Sequence, residues 1–230
     1  MESGLWLAAM QGMHRMVATR PKVELLEKHK PLQERAKRTY EAILAAAAEL
    51  LVEVGVERIS TNLIAESAGI TVPALYRYFP NKYAVLHALG AVLMDRQNQV
   101  FQEWFEANVQ ERNPQKLLEN IYQVLKGTYD VTLQQTGGLE LVQALRAVAP
   151  LQEVRLNSHQ VVATQFAGMV ADLLGLPVDE TITMRARLSV EVGYSVVEMA
   201  LEDDTLTAEN ALREGTLMIQ LYWQEFLLSA

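Results

Sequence analysis

The chain has no cysteine, which removes disulfides, thiolate metal sites and cysteine nucleophiles and fits a reducing compartment. Proline and glycine are scarce, 7 and 12 in 230 residues, and they sit in clusters, so long helices joined by short punctuated loops are expected. Long apolar runs are missing as well. The longest purely apolar one, residues 42–48, ends at Glu49, whereas a membrane-spanning helix needs roughly 20 such residues. Residues 5–10 are too short for a secretory signal core and follow an acidic residue instead of a basic one. A cytoplasmic protein away from membranes is expected. The sequence also lacks H-E-x-x-H and the glycine patterns that cradle phosphates or dinucleotides. Its four histidines, His14, His29, His87 and His159, show no metal-ligand spacing. No enzyme activity, cofactor or metal is therefore expected.

Half of the residues are apolar, enough for one large domain or a small domain beside a larger one. The formal charge of −8 argues against nucleic acid until its distribution is considered. Residues 1–87 hold 11 basic and 9 acidic side chains, and residues 88–230 hold 9 and 19. A polyanion would meet the first third and be repelled by the rest, although a solvated charged face reads the same way.

Apolar spacing is helical throughout, and no stretch alternates at period two for long enough to form a strand. Ile43, Ala47, Leu50, Leu51 and Val54 share one face of a helix over 33–54, with Gly55 as its stop. Ser60 or Thr61 caps a short second helix that places Leu63, Ile64 and Ala68 inward. Thr71 caps a third, which ends near Phe79 because Pro80 disfavours helical geometry before it. Asn81 caps a helix to about residue 108, and Asn113-Pro114 opens one to about 135. Further helices are expected over 139–148, from Pro150 to about 174, from Asp179 to about 202 and from Thr207 to about 228. Residues 1–32 read as a mobile arm or a loosely docked extra helix.

Two short helices joined by a glycine-containing turn, over residues 60–82, form a helix-turn-helix. In its DNA-binding version the second helix enters the major groove. Leu75 and Phe79 are spaced for packing inward. The other face offers Val72, Pro73, Ala74, Tyr76, Arg77 and Tyr78, and no acid occurs between Glu66 and Asp95. Tyrosine hydroxyls and lysine ammoniums suit phosphate oxygens.

Three runs of residues make this segment specific: ILAAAAELLVEVG, then T-N-x-I-A-E-x-A-G, then L-Y-x-Y-F-P-N-K at 75–82. Over residues 38–89 the chain resembles the DNA-binding domain of the tetracycline-repressor (TetR) family. The resemblance implies an all-α protein with an N-terminal extension (1–34), a three-helix, homeodomain-like head (35–88) and a C-terminal effector-binding and dimerisation bundle (89–230). It implies that Tyr76, Tyr78 and Lys82 grip phosphates and that Thr61, Asn62 and Thr71 touch backbone or groove edges. Val72, Pro73, Ala74 and Arg77 would face the major groove, with Arg77 as the long donor suited to guanine.

For the second half the resemblance implies a small-molecule pocket, for which Phe101, Trp104, Phe105, Tyr122, Tyr129, Phe166 and Met169 are the candidates, and a homodimer. The dimer face would use Leu188, Val192, Val196 and Met199 on one helix and Thr216, Ile219, Trp223 and Phe226 on the next. The partners implied are operator DNA, a second copy and an effector, so that the expected function is a ligand-responsive repressor on a palindromic operator. The competing reading is a helical small-molecule or protein-interaction module without DNA binding.

Overall fold

A computed structural model describes residues 23–26, 33–109 and 113–229. The expectation for residues 1–32 therefore lies largely outside the described residues. All regular structure described is helical: α1 Glu34–Arg58, α2 Thr61–Ser67, α3 Val72–Leu75, α4 Lys82–Val109, α5 Pro114–Glu119, α6 Ile121–Gln134, α7 Gly138–Ala147, α8 Gln152–Leu174, α9 Glu180–Glu202 and α10 Ala208–Ser229, with a 3-10 turn at Ala149–Leu151. Among the described residues no helix is long and apolar enough to cross a membrane.

Local chemistry sets most helix starts. A free N–H in the first turn is satisfied by the side chain just before it. Ser60 accepts from the Leu63 N–H at 3.2 Å, Thr71 from Ala74 at 3.3 Å and Asn81 from Ala84 at 3.0 Å. Asn113 accepts from Gln115 at 3.0 Å, Asp179 from Ile182 at 2.8 Å and Thr207 from Asn210 at 3.3 Å. The expected caps all act, and Ser60, not Thr61, is the one that starts α2.

Gly55 acts as the expected stop: its backbone leaves helical geometry (φ 72°, ψ 165°), and a further turn to Arg58 follows across the kink. Two local expectations change. The helix expected over 114–135 is broken at Asn120, whose Nδ2 donates to Asn108 Oδ1 at 2.6 Å while its carbonyl accepts from Trp104 Nε1 at 2.9 Å. Those tertiary bonds to α4 draw the backbone out of helical geometry. At α2 Ile64 is buried and Ala68 packs on the first core as expected, with Ala65 buried beside them, whereas Leu63 faces solvent.

The helices enclose two apolar cores. The first joins α1, α2, α3 and the start of α4, centred on Ile43, Leu51, Ile64, Leu75 and Phe79. The second lies among α4, α5, α6, α8, α9 and α10 around Phe101, Phe166, Leu212 and Trp223. Packing does not stop at residue 88. Leu141 and Leu145 of α7 are buried in the first core, and α4 runs through both. Gly90 lets α7 approach α4 closely, since a Cβ there would lie 2.7 Å from Leu145 Cδ2.

Candidate nucleic-acid interface and bundle cavity

The helix-turn-helix is held from below. Leu75 and Phe79 have no exposed surface, and Tyr40 of α1 lies against Phe79 with ring centroids 5.2 Å apart. Regular helix covers only Val72–Leu75, but the hydrogen bonding continues as a tight turn, with the Phe79 N–H on the Leu75 carbonyl at 3.0 Å. The second helix expected to end near Phe79 is therefore one turn of α-helix and one of turn.

This base presents Asn62, Thr71, Pro73, Tyr76 and Arg77 to solvent. Thr61 is half-buried, and its hydroxyl lies 3.2 Å from the Tyr76 hydroxyl, linking α2 to the end of α3. Val72 and Tyr78 are half-buried against the first core, and Tyr78 meets the edge of Tyr40 at 6.4 Å. Both therefore contribute packing as well as surface, and Ala74 is half-buried beside them.

Lys82 has a structural role beside the expected one. Its ammonium donates to the carbonyls of Val56 (3.1 Å) and Glu57 (3.3 Å), closing the end of α1. One N–H of the three remains for another acceptor. Ser60, Thr61, Tyr76, Asn81 and Lys82 line one shallow open groove, whose hydroxyls and ammonium suit a phosphate oxygen. Asn81 also donates through Nδ2 to the Glu24 carbonyl at 2.8 Å, and Leu25 rests on the first core. Residues 23–26 are thus fastened beside this groove, a contact with no sequence signal.

The sequence profile described as "Bacterial regulatory proteins, tetR family" matches residues 43–89, from the middle of α1 to the first turns of α4. The tetracycline repressor protein class C of Escherichia coli is 44% identical over 54 residues, 24% of this chain and 25% of that protein. Residues 43–89 are therefore similar to the tetR family of bacterial regulatory proteins.

That match spans about a quarter of the length of the curated relatives it resembles. Whole-chain likeness is one of fold. A tetR-family regulator from Syntrophomonas wolfei superposes with a TM-score of 0.63 at 17% identity, covering 80% of this chain and 94% of that one. A structure titled "SmeT-Triclosan complex" gives 0.58 at 18%, covering 81% and 90%.

As in those solved structures, the second half is a helical bundle, and it contains a cavity of about 560 Å³, partly open to solvent, between α4, α6, α8, α9 and α10. Phe101, Trp104 and Phe166 line it as expected. Phe105, Tyr122, Tyr129 and Met169 do not. Tyr122 bonds Glu209 at the surface, Tyr129 lies beside Lys126, Phe105 packs on the flank of Phe101, and Met169 is closed inside the second core. Residues not foreseen there include Gln97, Thr128, Ser189, Gly193 and Tyr194. Ser189 and Gly193, small and four apart on α9, leave the space open, Ser189 beside Trp223 and Gly193 opposite Leu125. That small-against-large pattern is a signal in the sequence, but tight helix packing produces it too.

A smaller cavity of about 300 Å³ adjoins it, sharing Gln97, Tyr194 and Val197 and adding Thr132, Arg155, His159 and Glu198. His159 stacks on Tyr194 (3.9 Å, 6°) and lies 3.2 Å from the Glu191 carboxylate, which Arg155 and Arg187 also approach. Burial pushes the His159 imidazole down to about 4, against the pull of Glu191, and burial pushes the Tyr194 phenol up. Among the described residues no cluster of metal ligands occurs.

The expected dimer face needs correction. Val196, Thr216, Ile219 and Trp223 are buried within the subunit; Trp223 fills the second core and Ile219 lines the cavity. Their periodicity is real, but it faces the chain's own bundle. Phe226 is half-buried against the same core. Leu188 and Met199 are exposed and Val192 half-exposed. They share a face of α9 with exposed Met184, beside which α10 exposes Leu217, Met218 and Leu221.

Proposed function

We propose that this chain is a non-enzymatic, cytoplasmic transcriptional repressor that binds a palindromic operator as a homodimer and is released by a small molecule held in the bundle. The observation that carries the reading is the exposed, acid-free surface of Pro73, Tyr76 and Arg77 on an immobile apolar base. A surface offering tyrosine hydroxyls, threonines and an arginine, pinned by fully buried Leu75 and Phe79, is preorganised for a polyanion. Arg77 reads a base in the major groove, and Thr61, Asn62, Thr71, Tyr76, Tyr78 and the remaining Lys82 N–H hold phosphates. Pro73, with Val72 and Ala74 behind it, meets thymine methyls.

Two copies join through Met184, Leu188, Val192 and Met199 of α9 and Leu217, Met218 and Leu221 of α10. Exposed apolar side chains in such a contiguous patch mark an interaction surface. A two-fold dimer places its reading heads about one duplex turn apart or a multiple of it. Residues 35–88 form the head and 89–230 the effector and dimer domain, with α7 seating one on the other. The cavity supports the effector reading, as does a small-molecule complex of the fold neighbour SmeT. Gln97, Phe101 and Trp104, which line the cavity, lie on α4, the helix that starts at Lys82 in the head. A ligand favouring one placement of α4 changes the separation of the heads, and DNA and ligand then weaken each other reciprocally.

The test is fluorescence anisotropy with labelled duplexes from the gene's own upstream region. Specific binding is expected, with log affinity falling linearly in log salt as counterions leave the phosphates. Arg77→Ala is expected to relax preference at one base pair, and Tyr76→Phe to weaken all sequences alike. Salt-independent binding, or none to any upstream fragment, overturns the reading.

A further inference from the structure

The polar atoms of the larger cavity are nearly all engaged. Thr128 donates to the Val124 carbonyl at 2.8 Å. Ser189 donates to the Arg185 carbonyl and accepts from Trp223 Nε1, both at 2.8 Å. The Tyr194 hydroxyl is hydrogen-bonded to Ser158. Gln97 is the exception. It is 1% exposed, and its Nε2 donates to Thr132 Oγ1 at 2.8 Å, but among the described residues Oε1 has no partner. The amide cannot be turned round without loss. Thr132 Oγ1 spends its proton on the Thr128 carbonyl at 2.7 Å, so it can only accept from Gln97. One buried acceptor is therefore aimed at nothing the protein supplies, and a buried acceptor without a donor is costly.

A second orphan belongs to the same cavity. Arg155 Nε, on the wall of the smaller cavity that Gln97 shares, also has no partner among the described residues. An acceptor and a donor left open on two residues lining one cavity match a group that both gives and takes a hydrogen bond. A hydroxyl does both. Charge is disfavoured: the larger cavity is lined by aromatic and aliphatic side chains with no carboxylate, lysine or arginine, so an ion would be desolvated there. In the smaller cavity Arg155 already shares its charge with Glu191, and Glu198 is paired with Arg146, so little positive charge is left there to neutralise an anion.

From this geometry we infer that the bundle selects an uncharged, apolar effector bearing a hydroxyl. Its body lies among Phe101, Trp104 and Phe166, and its hydroxyl donates to Gln97 Oε1 and accepts from Arg155 Nε. The inference rests on the ligand-responsive reading above and specifies its ligand. It also makes Gln97, on the helix that reaches the head, the residue that senses occupancy.

The test uses the whole chain without DNA and three probes that share one butylphenyl body: para-butylphenol, butylbenzene and para-butylbenzoate. Calorimetry gives their affinities, and quenching of tryptophan fluorescence that is lost in Trp104→Phe places them near Trp104. The phenol is expected to bind on the order of tenfold tighter than butylbenzene, the size of one net hydrogen bond, and the benzoate weakest. In Gln97→Leu the phenol and butylbenzene are expected within about threefold of each other. The wild-type comparison needs no variant and stands if Gln97→Leu does not fold. Equal binding of phenol and butylbenzene, tightest binding of the benzoate, no binding of any probe, or a gap that survives in Gln97→Leu overturns the inference. Operator binding is then read separately. A phenol that binds as expected but leaves operator affinity unchanged overturns the regulatory reading and not this one.

Discussion

Lys82 and His159 show how one side chain carries a consequence that its residue type does not announce. Lys82 places its ammonium on the Val56 and Glu57 carbonyls, where α1 has run out of partners. A cation bonding the last carbonyls of a helix contributes about 1 kcal/mol. Lys82→Met should therefore lower the melting temperature by about 2–4 °C in a chain of this size, in addition to weakening DNA. A variant that weakens DNA with an unchanged melting curve would return Lys82 to a purely phosphate-binding role. His159 bears on acid stability. Its folded value of about 4 lies below the ordinary 6.5, so between those limits the unfolded chain binds the extra proton. Stability is then fully present above pH 6.5 and declines as the pH falls toward 4, by up to about 3 kcal/mol. Glu191, held low beside His159, adds to the loss further down in pH, whereas burial raises the Glu198 carboxyl and acts in the opposite sense. His159→Gln, compared with the wild type by thermal melts from pH 8 to 4.5, should flatten the decline below 6.5. An identical decline in both would assign it to other groups.

At the scale of elements, the sequence was readable wherever a local bond decides the outcome. Six N-caps are satisfied by the side chain immediately before the helix, and a cap needs nothing beyond three neighbours in the chain. It was unreadable where a distant group decides. The break at Asn120 depends on Trp104 and Asn108 of another helix, and the docking of residue 24 depends on Asn81. The turn before α7 combines both kinds. Gly137 is left-handed (φ 63°), and a Cβ there would lie 2.7 Å from the Ala48 carbonyl oxygen, which is α1 backbone and cannot swing aside. Gly137→Ala should cost about 2–4 kcal/mol, the left-handed strain plus the displacement of α7 from α1. Gly90→Ala meets only the flexible end of Leu145, and alanine favours a helix over glycine by about 1 kcal/mol, so its net effect should be small. Urea titrations of the two variants check the ordering, and equal losses would show that α7 is not anchored at that turn.

At the scale of the molecule, periodicity revealed that α9 and α10 have apolar rows but not what each row faces. The core row and the surface row both repeat at helical spacing, and only the placement of α6 and α8 shows that Trp223 and Ile219 turn inward while Leu188, Met199, Leu217 and Leu221 turn out. The head was legible because its side chains are constrained by both packing and surface chemistry. The cavity was not, since its aromatics satisfy the rules of an ordinary core. This distinction yields a test that the two rows answer differently. Leu188→Glu with Leu221→Glu places charges on the outward row, where water accepts them in a monomer and a like partner does not. The double variant should keep its helicity, run as a monomer in sedimentation at micromolar concentration and lose operator affinity, since two linked heads bind far more tightly than one. Ile219→Ala removes bulk from the inward row and should lower stability by about 2–5 kcal/mol while leaving the assembly state intact. A double variant that still sediments as a dimer would move the interface off the outward faces of α9 and α10.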